Sequence, residues 1–151
     1  MKKQKTPEEA KREALRILSR GDVGEAKLAE KLGGKGFDPA TVKGVLTELR
    51  KLGYINDRSL CERLVRYLAR ERLMGNRRIE ATLLKKGFAF PLIREILEKV
   101  REEWPEEEAL NTYVNKKGPE NLTPGKLLYQ GFPPAMVYEV LQRSFRNDDS
   151  Q

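Results

Sequence analysis

The feature that most constrains this chain is a short phrase used three times. It reads KGF at Lys35-Gly36-Phe37, KGF again at Lys86-Gly87-Phe88, and QGF at Gln130-Gly131-Phe132. Apolar columns align around each phenylalanine. Five positions before it stand Leu32, Leu83 and Leu127; five after it, Val42, Ile93 and Val137. Eight after come Val45, Ile96 and Val140, and nine after, Leu46, Leu97 and Leu141. Offsets of five, eight and nine mark one face of a helix. A column set copied three times marks an internal repeat.

Each glycine of the phrase stands where one helix stops and another starts. A residue with positive φ ends a helix cleanly, and glycine adopts that φ without steric cost. The phenylalanine is placed to fold back on the closing turn as the hydrophobic partner of the cap. Proline follows at Pro39, at Pro91 and at Pro133-Pro134, and it fits the first turn of a new helix. The phrase therefore reads as the turn of a helix-turn-helix.

A longer helix precedes each pair. "TPEEAKREALRILSRG" opens with Thr6 as cap, Pro7 at the first position and Glu9 closing a capping box, with Ala10, Ala14, Ile17 and Leu18 at helical spacing. "NDRSLCERLVRYLARERLMG" predicts a helix from Asn56 or Asp57 to Gly75, with Leu60, Leu64, Tyr67 and Leu68 on one face. "PEEEALNTYVNKKG" starts at Pro105 and stops at Gly118, with Ala109, Leu110, Tyr113 and Val114 inside. No strand pattern of useful length competes. The reading is all-α: three tandem three-helix, helix-turn-helix-like repeats at 6–54, 55–104 and 105–146, stacked in an elongated array. Residues 1–5 and 147–151 are expected to be disordered tails.

Composition narrows the partners. The formal charge of +7 is uneven: residues 1–100 hold 24 Lys and Arg against 14 Asp and Glu, and residues 101–151 hold 6 against 9. A basic first two-thirds points to an anionic partner, nucleic acid first among them. The start, "MKKQKTPEEAKREA", has no apolar stretch like that of a signal peptide, and charges interrupt every apolar run before it reaches a membrane span. The single cysteine, Cys61, has no internal disulfide partner, and a reduced, cytoplasmic setting is expected.

Three motifs resemble the RecX regulators of bacterial recombination. "ELRKLGYINDRSLCERLVR", with Gly53-Tyr54-Ile55-Asn56-Asp57 between two helices, is similar to the segment that marks that family. "GNRRIEATLLKKGF" is similar to its second signature, and "ALRILSRGDVGEAKLAEKL" to its first repeat. The resemblance covers nearly the whole chain, in order. It implies a non-enzymatic modulator that binds the RecA recombinase, chiefly as a filament on DNA, and reduces its ATPase and strand-exchange activities. DNA binding, of a nonspecific kind, is implied as well. Two positions depart from the pattern. Gly24 stands where the family often has a serine that caps the second helix, so a less firmly started helix is expected. Gln130 replaces the lysine of the phrase.

Arg63, Arg66 and Arg70 fall on one side of the helix before Gly75, spaced by three and four residues. Arg77 and Arg78 follow, and Lys85 and Lys86 close the next helix. Arginine offers a planar fork of donors to two oxygens, so this row suits phosphates or carboxylates. Glu62 and Arg58 lie at helical spacing from the same row, and ordinary solvated ion pairs are the alternative account of it. Lys35, Arg50 and Lys51 form a second candidate patch, with the same lysines able to complement helix ends. Tyr54 and Trp104 are expected to pack between neighbouring repeats, the alternative being stacking on bases. Cys61 is expected in the core.

An enzyme fits least. There is no histidine, and the glycine-rich "GGKG" at 33–36 lacks phosphate-loop spacing. No cofactor or metal is implied. The alternative to a recombinase regulator is a nonspecific DNA-binding protein built from helix-turn-helix units, because the helices after the turns carry few side chains suited to base edges.

Overall fold

In a computed structural model the chain is described over residues 5–149. Its helices are α1 Pro7–Arg20, α2 Glu25–Gly34, α3 Pro39–Lys51, α4 Asp57–Arg66, α5 Asn76–Lys85, α6 Phe90–Glu103, α7 Glu106–Lys117, α8 Pro124–Tyr129 and α9 Pro134–Asp149. A π-helical turn, Tyr67–Glu71, continues α4, and a 3₁₀ turn, Pro119–Asn121, follows α7. Among the described residues there is no strand. Helix α9 carries residues 147–149, and the Lys5 ammonium sits 5.1 Å from the centre of the Phe37 ring. Residues 1–4 and 150–151 lie outside the described residues.

The repeated phrase closes three helices in the same way. Phe37, Phe88 and Phe132 each donate an N–H to the carbonyl five residues back, on Leu32, Leu83 and Leu127. The glycine before each donates to the carbonyl three residues back, and its φ is 95°, 94° or 106°. This is the Schellman closure, and both of its hydrophobic partners, leucine and phenylalanine, are buried in all three copies. Gly53-Tyr54 makes the same pair of bonds after α3, but there Tyr54 is 59% exposed. Tyr54 therefore does not pack as expected: the closure fixes its backbone and leaves its ring in solvent.

The helix expected to run unbroken to Gly75 does not. After Arg66 the hydrogen bonds widen, with Arg72 N–H reaching the Tyr67 carbonyl and Met74 N–H the Leu68 carbonyl. Leu73, at φ 53°, takes the left-handed place that glycine holds in the other closures, in a version one residue wider. The expected apolar face is also rotated. Cys61, Val65, Leu68 and Ala69 are buried with Leu64, whereas Tyr67 is 48% exposed. Tyr67 is four residues from Arg63, so the last α-helical turn puts it on the solvent side with that arginine.

Contacts divide the chain into two compact units. One comprises residues up to Cys61 together with Leu83–Leu92; the other comprises Glu62–Thr82 and the chain from Ile93 onward. In the first unit, α1, α2 and α3 enclose Ala10, Ala14, Leu28, Leu32, Val45 and Leu49. The turn carrying Gly87 docks on the start of α2: Gly24 N–H donates to the Lys86 carbonyl at 2.7 Å. In the second unit, α7, α8 and α9 enclose Leu110, Val114, Leu127, Phe132, Val137 and Leu141. There the turn carrying Gly131 docks on the start of α5. Gly75 N–H donates to the Gln130 carbonyl at 3.0 Å, and Arg77 N–H to the Gly131 carbonyl at 3.2 Å.

These two joints explain Gly24. No side chain caps α2 locally, but both carboxylate oxygens of Asp57 accept from Glu25 N–H, at 3.1 and 3.2 Å. Glu106 does the same for α5, accepting from Asn76 N–H at 2.7 Å. A carboxylate from a later helix thus fills the place of the missing serine, and the expectation of a weak start is corrected. Nor is there space for a side chain at Gly24, where a Cβ would lie 2.4 Å from the Gly87 carbonyl oxygen.

Candidate functional site

Among the described residues no helix is long and apolar enough to cross a membrane, and no group of three His, Cys, Asp or Glu is placed to hold a metal. Attention falls on the charged faces. Helical spacing on α4 and its π turn puts Arg63, Arg66 and Arg70 in one row, as the sequence predicts. Within the second unit the row meets the acids of α6 and α4. Arg66 grips Glu103 with both terminal nitrogens, at 2.6 and 3.3 Å, and also reaches Glu62 at 3.2 Å. Arg70 lies 3.7 Å from the same Glu103 carboxylate, and Lys99 lies 3.2 Å from Glu62. Arg63 is exposed, beside Tyr67 in the helical spacing.

The electrostatics follow the geometry. The Arg66 hydrogen bond holds the Glu103 carboxyl below its ordinary value; Lys99, then Arg66, does the same for Glu62. The Arg66 guanidinium is in turn held more firmly protonated, by Glu103 first. Glu62, Glu103 and Arg66 are therefore charged at neutral pH, and the pairs stand in solvent, where such pairs add little to stability. The arginines are legible in the sequence and this acid is not, because Glu103 lies 37 residues beyond Arg66.

The other expected residues divide. Arg77 is exposed at the start of α5. Arg78 is half-buried and donates to Gln130 Oε1 at 2.7 Å. Lys85 is exposed; Lys86 is half-buried and contributes its carbonyl to the Gly24 joint. In the first unit Lys35 pairs with Glu13 at 2.7 Å and Arg50 with Glu25 at 2.7 Å, while Lys51 is exposed. Lys35 and Arg50 are thus each joined to an acid rather than to one another.

Trp104 is packed rather than presented: its indole N–H donates to the Ala69 carbonyl at 3.2 Å, and its ring lies against the second unit's core. Cys61 is buried, and burial pushes its thiol up to about 11, which disfavours the reactive thiolate. Arg101, half-buried, donates to Asn76 Oδ1 at 2.7 Å and to the Met74 carbonyl at 2.8 Å, a structural task that the sequence does not reveal.

Gln130, a departure from the lysine of the phrase, has a tertiary cause. Its side chain is 7% exposed. The amide nitrogen donates to the carbonyls of Arg72 and Leu73, at 2.8 and 3.1 Å, groups freed where the π turn ends. Its oxygen accepts from Arg78. Glutamine both donates and accepts, whereas lysine has no acceptor. Beside it lies a recess of about 510 Å³ lined by Arg78, Tyr113, Thr123, Lys126, Tyr129 and Gln130. Of these only Arg78 was legible as a site residue, since lone tyrosines carry no periodic signal.

Comparison with known proteins agrees with this architecture. A family model described as RecX, first three-helix domain, matches residues 10–49. A protein named Regulatory protein RecX from Caldanaerobacter subterraneus subsp. tengcongensis is 33% identical over 72% of this chain, which spans only 55% of that protein's length. Another of that name, from Syntrophotalea carbinolica, is 31% identical over 71% of this chain and 70% of its own length. The crystal structure of RecX from Lactobacillus salivarius has the same fold, with a TM-score of 0.73 over 91% of this chain and 95% of that one at 20% identity. With the thrice-used closure, the family model on the first three helices and relatives matched across most of the chain, the conclusion is that this chain belongs to the RecX family.

Proposed function

We propose that this chain regulates a RecA-type recombinase, binding the recombinase and its filament on DNA and lowering ATP hydrolysis and strand exchange. The observation that carries the proposal is the solvent-facing arginine row of α4, in a chain whose relatives are named regulatory proteins. The repeats at 6–54, 55–104 and 105–146 are the units that engage it, in the cytoplasm. Arg63, Arg66 and Arg70, with Arg77 and Arg78 at the next helix start, supply cations to phosphates or carboxylates of the filament. Lys85 and Lys86, and Lys35, Arg50 and Lys51, add weaker contacts. Occupation of the filament by this chain hinders the changes that ATP turnover requires.

The test is a titration of the protein into recombinase filaments on single-stranded DNA, with ATP hydrolysis followed throughout. Inhibition at substoichiometric amounts is expected; an unchanged rate over a wide titration overturns the proposal. Replacing Arg63, Arg66, Arg70, Arg77 and Arg78 with alanine is expected to weaken filament binding and flatten its salt dependence, because fewer counterions are released. Glu103→Gln is expected to act in the opposite direction, since it releases Arg66 and Arg70 from their internal acid. The second reading, nonspecific DNA binding through the same cations, is favoured by the basic balance of residues 1–100. Equal affinity for bare DNA and for filaments would support it instead.

A further inference from the structure

The recess beside α8 has features that the arginine row lacks. Tyr129 is 77% exposed, the most open of the large hydrophobic side chains among the described residues. Its backbone is nevertheless fixed, because it sits between buried Leu127 and the Gly131 closure. The Arg78 guanidinium lies over its ring, 4.9 Å from the centre. That guanidinium is itself anchored by Gln130, and Gln130 by two backbone carbonyls. An aromatic face and a planar cation are thus held together at an open site, with little left to order on binding.

The rest of the lining points to the ligand. Lys126 joins Arg78 in the recess, and among the described residues no carboxylate lines it. The Lys126 ammonium donates to the Asn121 carbonyl at 3.0 Å, which leaves it two further donors. Tyr113 also lines it, with the Lys117 ammonium 5.9 Å from its ring. A volume of about 510 Å³ is far too small for a helix and falls in the range of small-molecule sites. An apolar peptide would find few partners here, and an acidic peptide would leave the rings unused. A flat, anionic ligand uses both.

We infer that Tyr129 and Arg78 form a stacking platform for an unpaired base of single-stranded nucleic acid, with Lys126 beside its phosphate. A duplex keeps its bases stacked on one another and offers no such face, so the site selects single strands. The platform shares only Arg78 with the proposed arginine row and does not rest on the recombinase reading. It is tested on bare oligonucleotides, so either idea is able to fail alone.

The experiment uses fluorescence anisotropy with a labelled oligothymidylate of about 12 nucleotides, within the reach of small single-strand sites. A strand of equal length and charge, abasic throughout, is the control for phosphate attraction. The protein is expected to bind the thymidylate more tightly than the abasic strand. Tyr129→Ala should weaken thymidylate binding by roughly 5- to 100-fold, the range expected for loss of one base–aromatic stack, and leave abasic binding unchanged. Tyr129→Phe should retain wild-type affinity. Because Tyr129 is exposed, the fold should survive both changes, with circular dichroism as the check. Equal binding of the two strands by the native protein overturns the inference. So does an unchanged affinity in Tyr129→Ala, or an equal loss toward both strands.

Discussion

Glycine has two separate tasks in this chain, and single-residue changes distinguish them. At Gly87 the φ of 94° is what matters, and a β-branched residue there is strained regardless of space. Gly75 is different: its φ is not positive, yet a Cβ would lie 2.3 Å from the Gly131 carbonyl carbon and oxygen. The backbone of a later turn occupies the place of a side chain. Gly75→Ala is therefore expected to destabilise the protein by about 1–3 kcal/mol, as overpacking does elsewhere. Gly44, inside α3 with nothing within 4 Å of a built Cβ, is the matched control. Gly44→Ala should stabilise by about 0.5–1 kcal/mol, since the helix interior gains from alanine. Urea midpoints at unchanged slope decide both. The sequence shows that both are glycines; only the tertiary approach of another backbone separates them.

At the level of the element, the starts of α2 and α5 depend on acids borrowed from elsewhere in the chain. Asp57 caps α2 from 32 residues away, and Glu106 caps α5 from 30. Burial raises the Asp57 carboxyl above its ordinary value, more than its bond to Glu25 N–H lowers it. The cap is needed, and its charge is a burden. Asp57→Ala should cost about 0.5–2 kcal/mol, as loss of a helix cap does. Asp57→Asn keeps an acceptor without the charge and should stay close to the native protein at neutral pH. Thermal unfolding of the two variants checks the ordering; an equal loss in both would mean that the charge itself is required. The π turn after α4 is the other feature of this scale. Its widened closure leaves carbonyls that Gln130 satisfies, so a departure from the repeated phrase and an irregular helix are one solution.

Across the molecule, charged pairs on the faces of the helices set the response to acid. Hydrogen bonds from Arg16 and Lys35 hold the Glu13 carboxyl down to about 2, and Glu62 and Glu103 are lowered by their own partners. Each contributes stability that is present above the ordinary glutamate value of 4.5 and is lost as pH falls through its own lowered value, about 2 for Glu13. Asp57, with a raised value, acts with the opposite sign: its protonation favours the fold as pH falls through that raised value. With Asp38, lowered by the Thr41 N–H that it caps, four lowered carboxyls outnumber one raised, so the urea midpoint should fall between about pH 5 and about pH 2. High salt should flatten the fall, because the pairs are exposed. A midpoint constant over that range would remove these pairs from the account of stability. The sequence by itself determined most of the helices and the ends closed by glycine-phenylalanine turns, since apolar spacing and those closures are set by neighbours within a few residues; the π turn after α4 and the borrowed caps of α2 and α5 are the exceptions. It also determined the arginine row, which helical spacing alone brings onto one face. Only the tertiary structure decided that Glu103 would meet that row, that Gly24 and Gly75 would receive a turn, and that Tyr129 would stand open beside an anchored arginine. Those outcomes depend on groups 33 to 63 residues apart, whose meeting is fixed by how helices pack and by no local pattern.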